Sequence, residues 1–335
     1  MGPKACIGFM DLVESYKDEL RLIDKPKKGL WIGLLMCALI LLPWFGSSHL
    51  IYVATVTFIY AIGVQGQNIL IGYTGQISLG QAGFLSIGAF TFGHLSRMGV
   101  PLPLGLLGAG ALTGLFGLLV GFPSLRLKGP YLAIATLGFG IAVYQFLTAY
   151  EVLSGGRMGL IVKKLPPFLG FTKQMSMYYF SLGLALGFTL LSYNLISSCV
   201  GRAFIAIRDN DIAAEVMGVN LTRYKLLSFA ISSFYTGIHG AMYGMLLGFI
   251  EPQMFSFFET ITIFIAVIIG GLASIEGSIL GAAFVILVPQ LLSDYKQLVP
   301  VILGLTVIAI MIFEPLGLAG RWLKIRLYFR NWPFR

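Results

Sequence analysis

The chain has 335 residues, of which 57% are hydrophobic and 11% are charged, and its formal net charge is +9. Soluble globular domains carry about 25% charged residues, so this composition, with a mean hydropathy of +0.87, excludes an ordinary soluble domain and indicates a chain that uses lipid as its solvent. The basic residues alternate with apolar runs instead of gathering on one solvated surface, so we expect no nucleic-acid partner.

The first 29 residues form a charged tail without an apolar run near its start, and we expect it to remain uncleaved in the cytoplasm. The three cysteines, Cys6, Cys37 and Cys199, are far apart and form neither a CxxC motif nor a Cys/His cluster. The sequence therefore predicts no disulfide framework and no metal site.

Ten apolar runs suit membrane-spanning helices, since a lipid core takes about 20 helical residues. They lie at residues 30–45, 50–71, 77–95, 102–122, 130–149, 178–197, 224–249, 257–272, 276–292 and 298–314. We predict an all-α integral membrane protein, a polytopic bundle of about ten transmembrane segments, some of them discontinuous. The transmembrane domain is 30–314, between the tail 1–29 and a basic tail 315–335, and its long loops are 151–177 and 198–222. The junction at 270–277 is either a turn or a broken helix.

The distribution of Lys and Arg residues predicts the orientation of the chain in the membrane. With a cytoplasmic N-terminus, most of the 23 Lys and Arg residues fall on the inner side, as the positive-inside rule requires. We therefore expect both termini in the cytoplasm. The basic outer loop at 151–177 is the exception.

The segment from Gly72 to Phe84 contains four glycines and several amides and hydroxyls between two apolar runs. Non-helical backbone at membrane depth occurs only where it is buried in protein or lines a wet cavity. We interpret the segment as part of a pathway for a polar solute, with a plain cytoplasmic turn as the alternative. The residues assigned to this pathway are Gly72, Thr74, Gly75, Gln76, Ser78, Gly80 and Gln81. Their neutral side chains suit a zwitterionic or amide-bearing solute better than a metal ion.

Two sets of glycines at spacings of three and four define small-residue helix faces. They are Gly110, Gly114, Gly117 and Gly121, and Gly237, Gly240, Gly244 and Gly248. Such faces allow close helix packing in lipid, and we expect packing within this chain or against a partner. Few ionisable groups, among them Glu259, Glu276, His94 and His239, lie in or near the spans, and they form no proton relay. We expect each histidine to be a satisfied donor between helices.

The sequence of the loop at 198–222 predicts two short helices. The first runs through Ile207, residues Asp209 to Asp211 form the turn and N-cap, and Gly218 ends the second in a left-handed conformation. Its apolar side chains are unusually many for a loop in water: Phe204, Ile207, Ile212, Val216 and Met217. They lie either on the membrane surface or in a groove of another protein, and the interspersed charges favour the groove.

Three stretches, 72–90 (GYTGQISLGQAGFLSIGAF), 201–225 (GRAFIAIRDNDIAAEVMGVNLTRYK) and 268–283 (IIGGLASIEGSILGAA), carry a resemblance to a known family. The sequence resembles the LivM/LivH-type permeases of branched-chain amino-acid ABC importers, more closely the LivM branch. It departs from the usual pattern at Ala273, where members have Gly, and at Ser278, where Pro is common.

The resemblance implies a fold similar to ten-helix ABC importer permeases in the bacterial inner membrane. It implies that the loop 198–222 enters clefts of two ATP-binding-cassette ATPase subunits. The coupling residues are then Arg202, Phe204, Ile207, Arg208, Asp209, Asp211, Glu215 and Gly218. The other implied partners are a homologous LivH-like permease, a periplasmic or lipid-anchored binding protein and membrane lipid. Arg157, Lys163 and Lys164 either dock that binding protein or belong to a long loop that escapes the charge rule.

The sequence contains no GxxxxGK[ST] loop. We therefore expect no enzymatic activity and no cofactor bound by this chain, with ATP and Mg used by the partner subunits. The expected function is import of branched-chain or related hydrophobic amino acids. The alternatives are urea, short amides or aromatic acids carried by a permease of the same family, or, less favoured, a secondary carrier acting alone.

Overall fold

The computed structural model describes residues 26–321, apart from residues 128, 157–158, 168–169, 293–294, 296–297 and 315–316. The described part is mainly helical, with a single two-stranded antiparallel pairing among the described residues. The helices of eight or more residues are α1 (Pro26–Phe45), α2 (Ser48–Asn68), α3 (Gln81–Arg97), α4 (Leu102–Ser124), α5 (Pro130–Ala149), α7 (Lys173–Ser197), α8 (Cys199–Asp209), α10 (Leu221–Leu247), α11 (Phe257–Gly270), α12 (Ile275–Leu291) and α13 (Val299–Phe313). The shorter elements are a π-helical turn (Ile69–Tyr73), α6 (Glu151–Ser154), β1 (Leu160–Ile161), α9 (Asp211–Val216), β2 (Phe249–Ile250) and a 3-10 turn (Pro252–Phe255).

The chain divides into two compact units, Met1–Ser47 and Ser48–Arg335. In the first unit, α1 is an apolar helix of 20 residues with Pro43 in its last turn. The second unit holds all the remaining elements and the sites described below.

Five helical stretches in the described part are long and apolar enough to cross a membrane. They are Ser48–Tyr73, Leu102–Ser124, Pro130–Ala149, Lys173–Ser197 and Val299–Arg321. Shorter apolar helices lie at Gly33–Phe45, Phe257–Gly270 and Ile275–Leu291. Each of the ten apolar runs overlaps a helix, but α3 and α10 carry more polar side chains and fall outside both sets, so the count of ten spans stays a prediction.

Helix α10 lies at the centre of the second unit and packs against α2, α3 and α4. Glycines permit this packing. A Cβ added at Gly117 on α4 would lie 2.7 Å from the Cβ of Ser233, and one at Gly110 would lie 2.8 Å from the ring of Phe234. On α10, a Cβ at Gly240 would lie 2.9 Å from the carbonyl carbon of Leu85 in α3. The expected packing role is confirmed for the glycines within α4 and α10, and these contacts lie within this chain. It is wrong for Gly248, which ends α10 in a left-handed conformation and faces the side chain of Lys164.

Two non-helical breaks interrupt the bundle. The first follows α2, which passes through the π-helical turn into an irregular segment that ends at Gly80. The second joins α11 to α12 through residues 271–274, where Gly271 and Ala273 have positive φ. Gly270 lies against Gly277 and also near Gly281, so α11 and α12 run antiparallel and the junction at 270–277 is a turn.

The loop 151–177 is held by β1 and β2, which pair Leu160 with Ile250 and Ile161 with Phe249. The backbone amide of Val162 extends the pairing by donating to the Gly248 carbonyl at 3.1 Å. Leu160 and Val162 are buried. The loop is therefore clamped to the end of α10 by backbone hydrogen bonds and by apolar side chains.

Candidate functional site

The segment assigned to the solute pathway runs from Gly72, in the π-helical turn, to Gln81, the first residue of α3. Its seven assigned residues all belong to the described part of the chain, and six are buried. Gly75 is the exposed one and has a φ of +69°. Ser78 and Gln81 have no exposed surface. In this conformation the Gln81 side chain is bonded to neighbouring helices of the same chain, and Oγ of Ser78 accepts from the Gly80 amide at 3.4 Å.

A set of amide contacts joins α2, α3 and α10 at this segment. Gln81 donates through Nε2 to Oε1 of Gln67 on α2. Gln67 in turn donates to the Ser78 carbonyl at 2.8 Å, and Thr236 on α10 donates to Oε1 of Gln81 at 2.6 Å. The polar side chains are thus satisfied without water, as burial in an apolar interior demands.

Three further hydrogen bonds anchor the segment to other helices. Gln76 donates to Oγ of Ser228 on α10 at 2.7 Å. The amide of Leu79 donates to Oγ1 of Thr136 on α5 at 2.9 Å, and that of Ala82 donates to Oγ1 of Thr260 on α11 at 2.9 Å. Apart from the exposed Gly75 and Ile77, most of the irregular segment is therefore buried in protein, one of the two settings in which such backbone is stable at membrane depth.

Asn68, the last residue of α2, connects the two breaks and was not singled out from the sequence. It is 1% exposed. Its Nδ2 lies 3.2 Å from the Gly271 carbonyl and 2.9 Å from the Ser274 carbonyl. Oγ of Ser278 lies 2.8 Å from the same nitrogen, so two amide hydrogens serve three acceptors, and Oδ1 accepts from the amide of Ala273 at 2.9 Å. Three amides in a predicted span, at 65, 67 and 68, were the available signal.

The loop 198–222 forms a helical hairpin of α8 and α9, which confirms the two short helices. The first extends to Asp209, two residues beyond the expected end. The N-cap is Asn210, whose Oδ1 accepts from the amides of Ile212 and Ala213 at 3.1 Å each. Gly218 has a φ of +87°, the left-handed conformation expected of it.

The expectation that all five apolar side chains of the hairpin face outward is wrong for two of them. Phe204 is 0% exposed and Ile207 is 4% exposed, because α8 turns its apolar face to the core of its own chain. Ile212, Val216 and Met217 are 69%, 82% and 83% exposed. The exposed apolar surface of the hairpin is therefore confined to α9 and the residue that follows it.

Arg208 links the hairpin to the pathway segment. Its Nη1 donates to the Gly72 carbonyl at 3.2 Å, while Nε and Nη2 donate to Oδ1 of Asp209 at 3.1 and 2.9 Å. A Cβ at Gly75 would lie 3.3 Å from Cγ of Arg208, so Gly75 leaves room for this side chain. The structure thus places a residue expected to couple directly against residues expected to line the pathway.

The other hairpin residues lie at its surface. Arg202 and Glu215 are exposed, and Oδ2 of Asp211 lies 3.6 Å from Nζ of Lys225 on α10. A polar cleft of about 460 Å³ opens between the hairpin, the Gly75 turn and the loop after α4. The hairpin therefore offers charged and apolar groups side by side.

On the outer loop, Lys163 and Lys164 are exposed next to the clamp of β1 and β2. The stem of Lys164 crosses Gly248, where an added Cβ would lie 3.0 Å from its Cγ. Arg157, assigned with them, lies outside the described residues. The pairing of β1 with β2 therefore fixes the backbone next to the two lysines.

The ionisable side chains singled out in the helices make separate contacts and are not joined in one hydrogen-bonded chain. Tyr60 donates to Oε1 of Glu259 at 2.5 Å, and Tyr193 donates to Oε1 of Glu276 at 3.0 Å. His94 lies 2.8 Å from the Leu153 carbonyl, as expected of a satisfied histidine. For His239 that expectation is wrong, because neither ring nitrogen has a hydrogen-bond partner among the described residues. Within these residues no cluster of three His, Cys, Asp or Glu side chains could hold a metal ion.

Comparison with known proteins gives one consistent family. The family described as "Branched-chain amino acid transport system / permease component" matches residues 49–314. The high-affinity branched-chain amino acid transport system permease protein LivM of Salmonella typhimurium is 31% identical over 322 residues, covering 87% of this chain and 75% of that protein. LivM of Escherichia coli is also 31% identical, over 318 residues, with the same coverages.

A more distant relative has a name that describes a different solute. The autoinducer 2 import system permease protein LsrC of Salmonella typhi is 25% identical over 315 residues, covering 88% of this chain and 87% of that protein. No solved structure matches the chain.

Proposed function

The chain belongs to the family of branched-chain amino acid transport system permease components, and from this premise we propose that it is the transmembrane permease subunit of an ATP-binding-cassette importer. The proposed solutes are branched-chain or related hydrophobic amino acids. The two LivM relatives support this solute class, since their names describe branched-chain amino acid transport.

One observation carries the proposed partnership with an ATPase. Helix α9 exposes Ile212, Val216 and the following Met217, while Arg208 on the preceding helix donates to the Gly72 carbonyl. An exposed apolar knob with charged neighbours suits a groove on a partner protein. Movement of that partner would reach the pathway segment through a direct contact. The chain hydrolyses no ATP itself, and ATP and Mg belong to the two partner ATPase subunits.

We propose alternating access as the mechanism. Closure of the ATPases displaces the hairpin, and the helices that flank residues 72–83 tilt with it. In this conformation the amides of Gln76 and Gln81 are bonded within the chain. A tilt that parts α2, α3 and α10 would expose those groups to a zwitterionic solute. A homologous second permease would complete the pathway.

The proposed setting is the bacterial inner membrane with both termini in the cytoplasm. In that orientation the hairpin faces the ATPases, and Lys163 and Lys164 face a periplasmic or lipid-anchored binding protein. The exposed lysines beside the β1–β2 clamp support the second contact, because fixed positive charges steer an acidic partner into register.

The test is uptake into proteoliposomes that contain the chain, a second permease, two ATPases and a binding protein. We expect uptake of labelled leucine, isoleucine or valine that requires ATP. The triple variant Ile212→Ser, Val216→Ser, Met217→Ser should abolish ATP-driven uptake and capture of the ATPases. Ala213→Ser, at an exposed position of the same short helix, is the matched control and should keep both.

The outcomes separate the alternatives. Uptake at the full rate without any ATPase would favour a secondary carrier and refute the proposal. ATP-driven uptake restricted to urea, short amides, aromatic acids or autoinducer 2 would keep the importer and replace the solute.

A further inference from the structure

We propose that Asn68 is a positioning residue that makes the two breaks of the bundle move as one unit during transport. This inference rests on the proposed function and adds to it the route by which motion of the hairpin reaches α11 and α12. The route begins at Arg208, passes through the π-helical turn and Asn68, and ends at residues 271–274.

The first step is the chemistry of residue 68. At a buried helix break, backbone amides and carbonyls have no water to bond, so a side chain must satisfy them. An asparagine amide supplies two donors and an acceptor on one short stem. Asn68 shares its two hydrogens among the Gly271 and Ser274 carbonyls and Oγ of Ser278, and its oxygen accepts from the Ala273 amide. Aspartate lacks the donors, and leucine of similar size lacks both functions.

The second step is the direct contact of the two backbones. A Cβ added at Gly72 would lie 3.1 Å from Cα of Ala273 and would meet Oδ1 of Asn68. No side chain separates the π-helical turn from the second break. A displacement of Gly72 therefore acts on Ala273 directly, while the hydrogen bonds of Asn68 prevent the two segments from separating.

The third step is the form of the first break. Single π-helical turns often mark functional positions in helices, since one residue more or fewer in the turn changes the direction of the chain. The turn Ile69–Tyr73 begins directly after Asn68, and its carbonyl at Gly72 is bonded to Arg208. The hairpin and the second break thus contact the same five-residue turn from two directions.

A purely structural role for Asn68 makes a different prediction. If the residue only satisfied the break, its loss would lower stability and reduce ATP hydrolysis and uptake in proportion. If it couples the breaks, the ATPases would continue to hydrolyse ATP while solute no longer moves. The deciding readout is therefore the amount of solute imported per ATP hydrolysed, measured in the same vesicles.

The experiment uses the full reconstituted importer with Asn68→Leu in this chain and radiolabelled leucine as the probe. The control is Thr55→Val, also an isosteric loss of a buried polar side chain on α2, whose hydroxyl donates only to the Ile51 carbonyl of its own helix at 2.7 Å. We expect Asn68→Leu to lower the ratio of solute to ATP by at least about tenfold with hydrolysis changed by less than about twofold. Thr55→Val should leave the ratio unchanged.

A milder variant keeps the inference testable if Asn68→Leu fails to assemble. Ser278→Ala removes one of the four contacts of Asn68 and is expected to lower the ratio by about two- to fivefold. An unchanged ratio in the assembled variant, or proportional losses of uptake and hydrolysis, overturns the inference. Absence of ATP-driven uptake in the unaltered complex would instead refute the proposed function.

Discussion

At the scale of single residues, backbone conformation and hydrogen bonding identify positions that composition does not. Ala273 has a φ of +57°, a region that costs a residue with a Cβ about 1–2 kcal/mol. Its amide is held by Oδ1 of Asn68 at 2.9 Å. Ala273 is therefore a strained position fixed by a neighbouring side chain.

Substitution of Ala273 tests this strain. Ala273→Gly removes the Cβ that is strained in the left-handed conformation, but it also increases the entropy of the unfolded chain. We therefore expect a free energy of unfolding within about 1 kcal/mol of that of the unaltered chain. Ala273→Val places a β-branched side chain at positive φ against Gly72 and should cost about 2–3 kcal/mol. Thermal unfolding of the purified chain in detergent measures both. A valine variant as stable as the glycine variant would contradict the assignment.

At the scale of secondary-structure elements, the glycines differ according to what they face. Gly117 on α4 lies against α10, where an added Cβ would be 2.7 Å from Ser233 Cβ and 2.9 Å from the Phe229 carbonyl. Gly183 on α7 has nothing within 4 Å of an added Cβ. Spacing in the sequence predicts a face, but only the packing of the helices shows which face is occupied.

The pair Gly117→Ala and Gly183→Ala makes a matched comparison. The first should force α4 from α10 and lower stability by about 1–3 kcal/mol. The second should leave stability unchanged or raise it by up to about 1 kcal/mol, since alanine favours the helix. Unfolding temperatures of the two variants in the same detergent provide the test, and equal losses would show that α4 and α10 do not pack as described.

The hairpin shows how much of an element can be predicted from local sequence. Its two helices and the left-handed Gly218 follow from local sequence, because capping is a short-range effect. The burial of Phe204 and Ile207 does not, because it depends on which side of α8 meets the core.

Arg208 allows a test of this element. Arg208→Glu removes the donor to the Gly72 carbonyl and places like charges beside Asp209. We expect ATP-driven uptake in proteoliposomes to fall by at least about tenfold. Uptake that is unaffected by this variant and by the charge reversal Asp209→Arg would exclude a coupling role for the pair.

At the scale of the whole molecule, charge distribution predicts the orientation in the membrane. The hairpin and the outer loop carry the groups proposed to contact different partners, so the function requires them on opposite sides. Lys163 and Glu215 are both exposed and suit labelling.

Single cysteines in a chain whose three cysteines are replaced by serine determine the sides. We expect Lys163→Cys to react with a membrane-impermeant maleimide added to intact cells, and Glu215→Cys to react only after permeabilisation, because the inner side is shielded by the membrane. The control variant Met98→Cys places a cysteine at an exposed position beside Arg97 and measures the efficiency of labelling. Reaction of Glu215→Cys in intact cells would reverse the proposed topology.

The sequence by itself determined the apolar character and the helical class through hydropathy, and the segments that depart from regular helix through glycine spacing and local capping. The family followed from the resemblance of the stretches 72–90, 201–225 and 268–283. The sequence also predicted candidate pathway and coupling segments as separate stretches. Only the tertiary structure decided that Arg208 reaches Gly72, that Phe204 and Ile207 turn inward and that Asn68 ties α2 to the turn between α11 and α12. The contacts of Arg208 with Gly72 and of Asn68 with Gly271 join residues 136 and 203 positions apart. These contacts and the inward turn of α8 depend on how the helices pack, which no local pattern encodes.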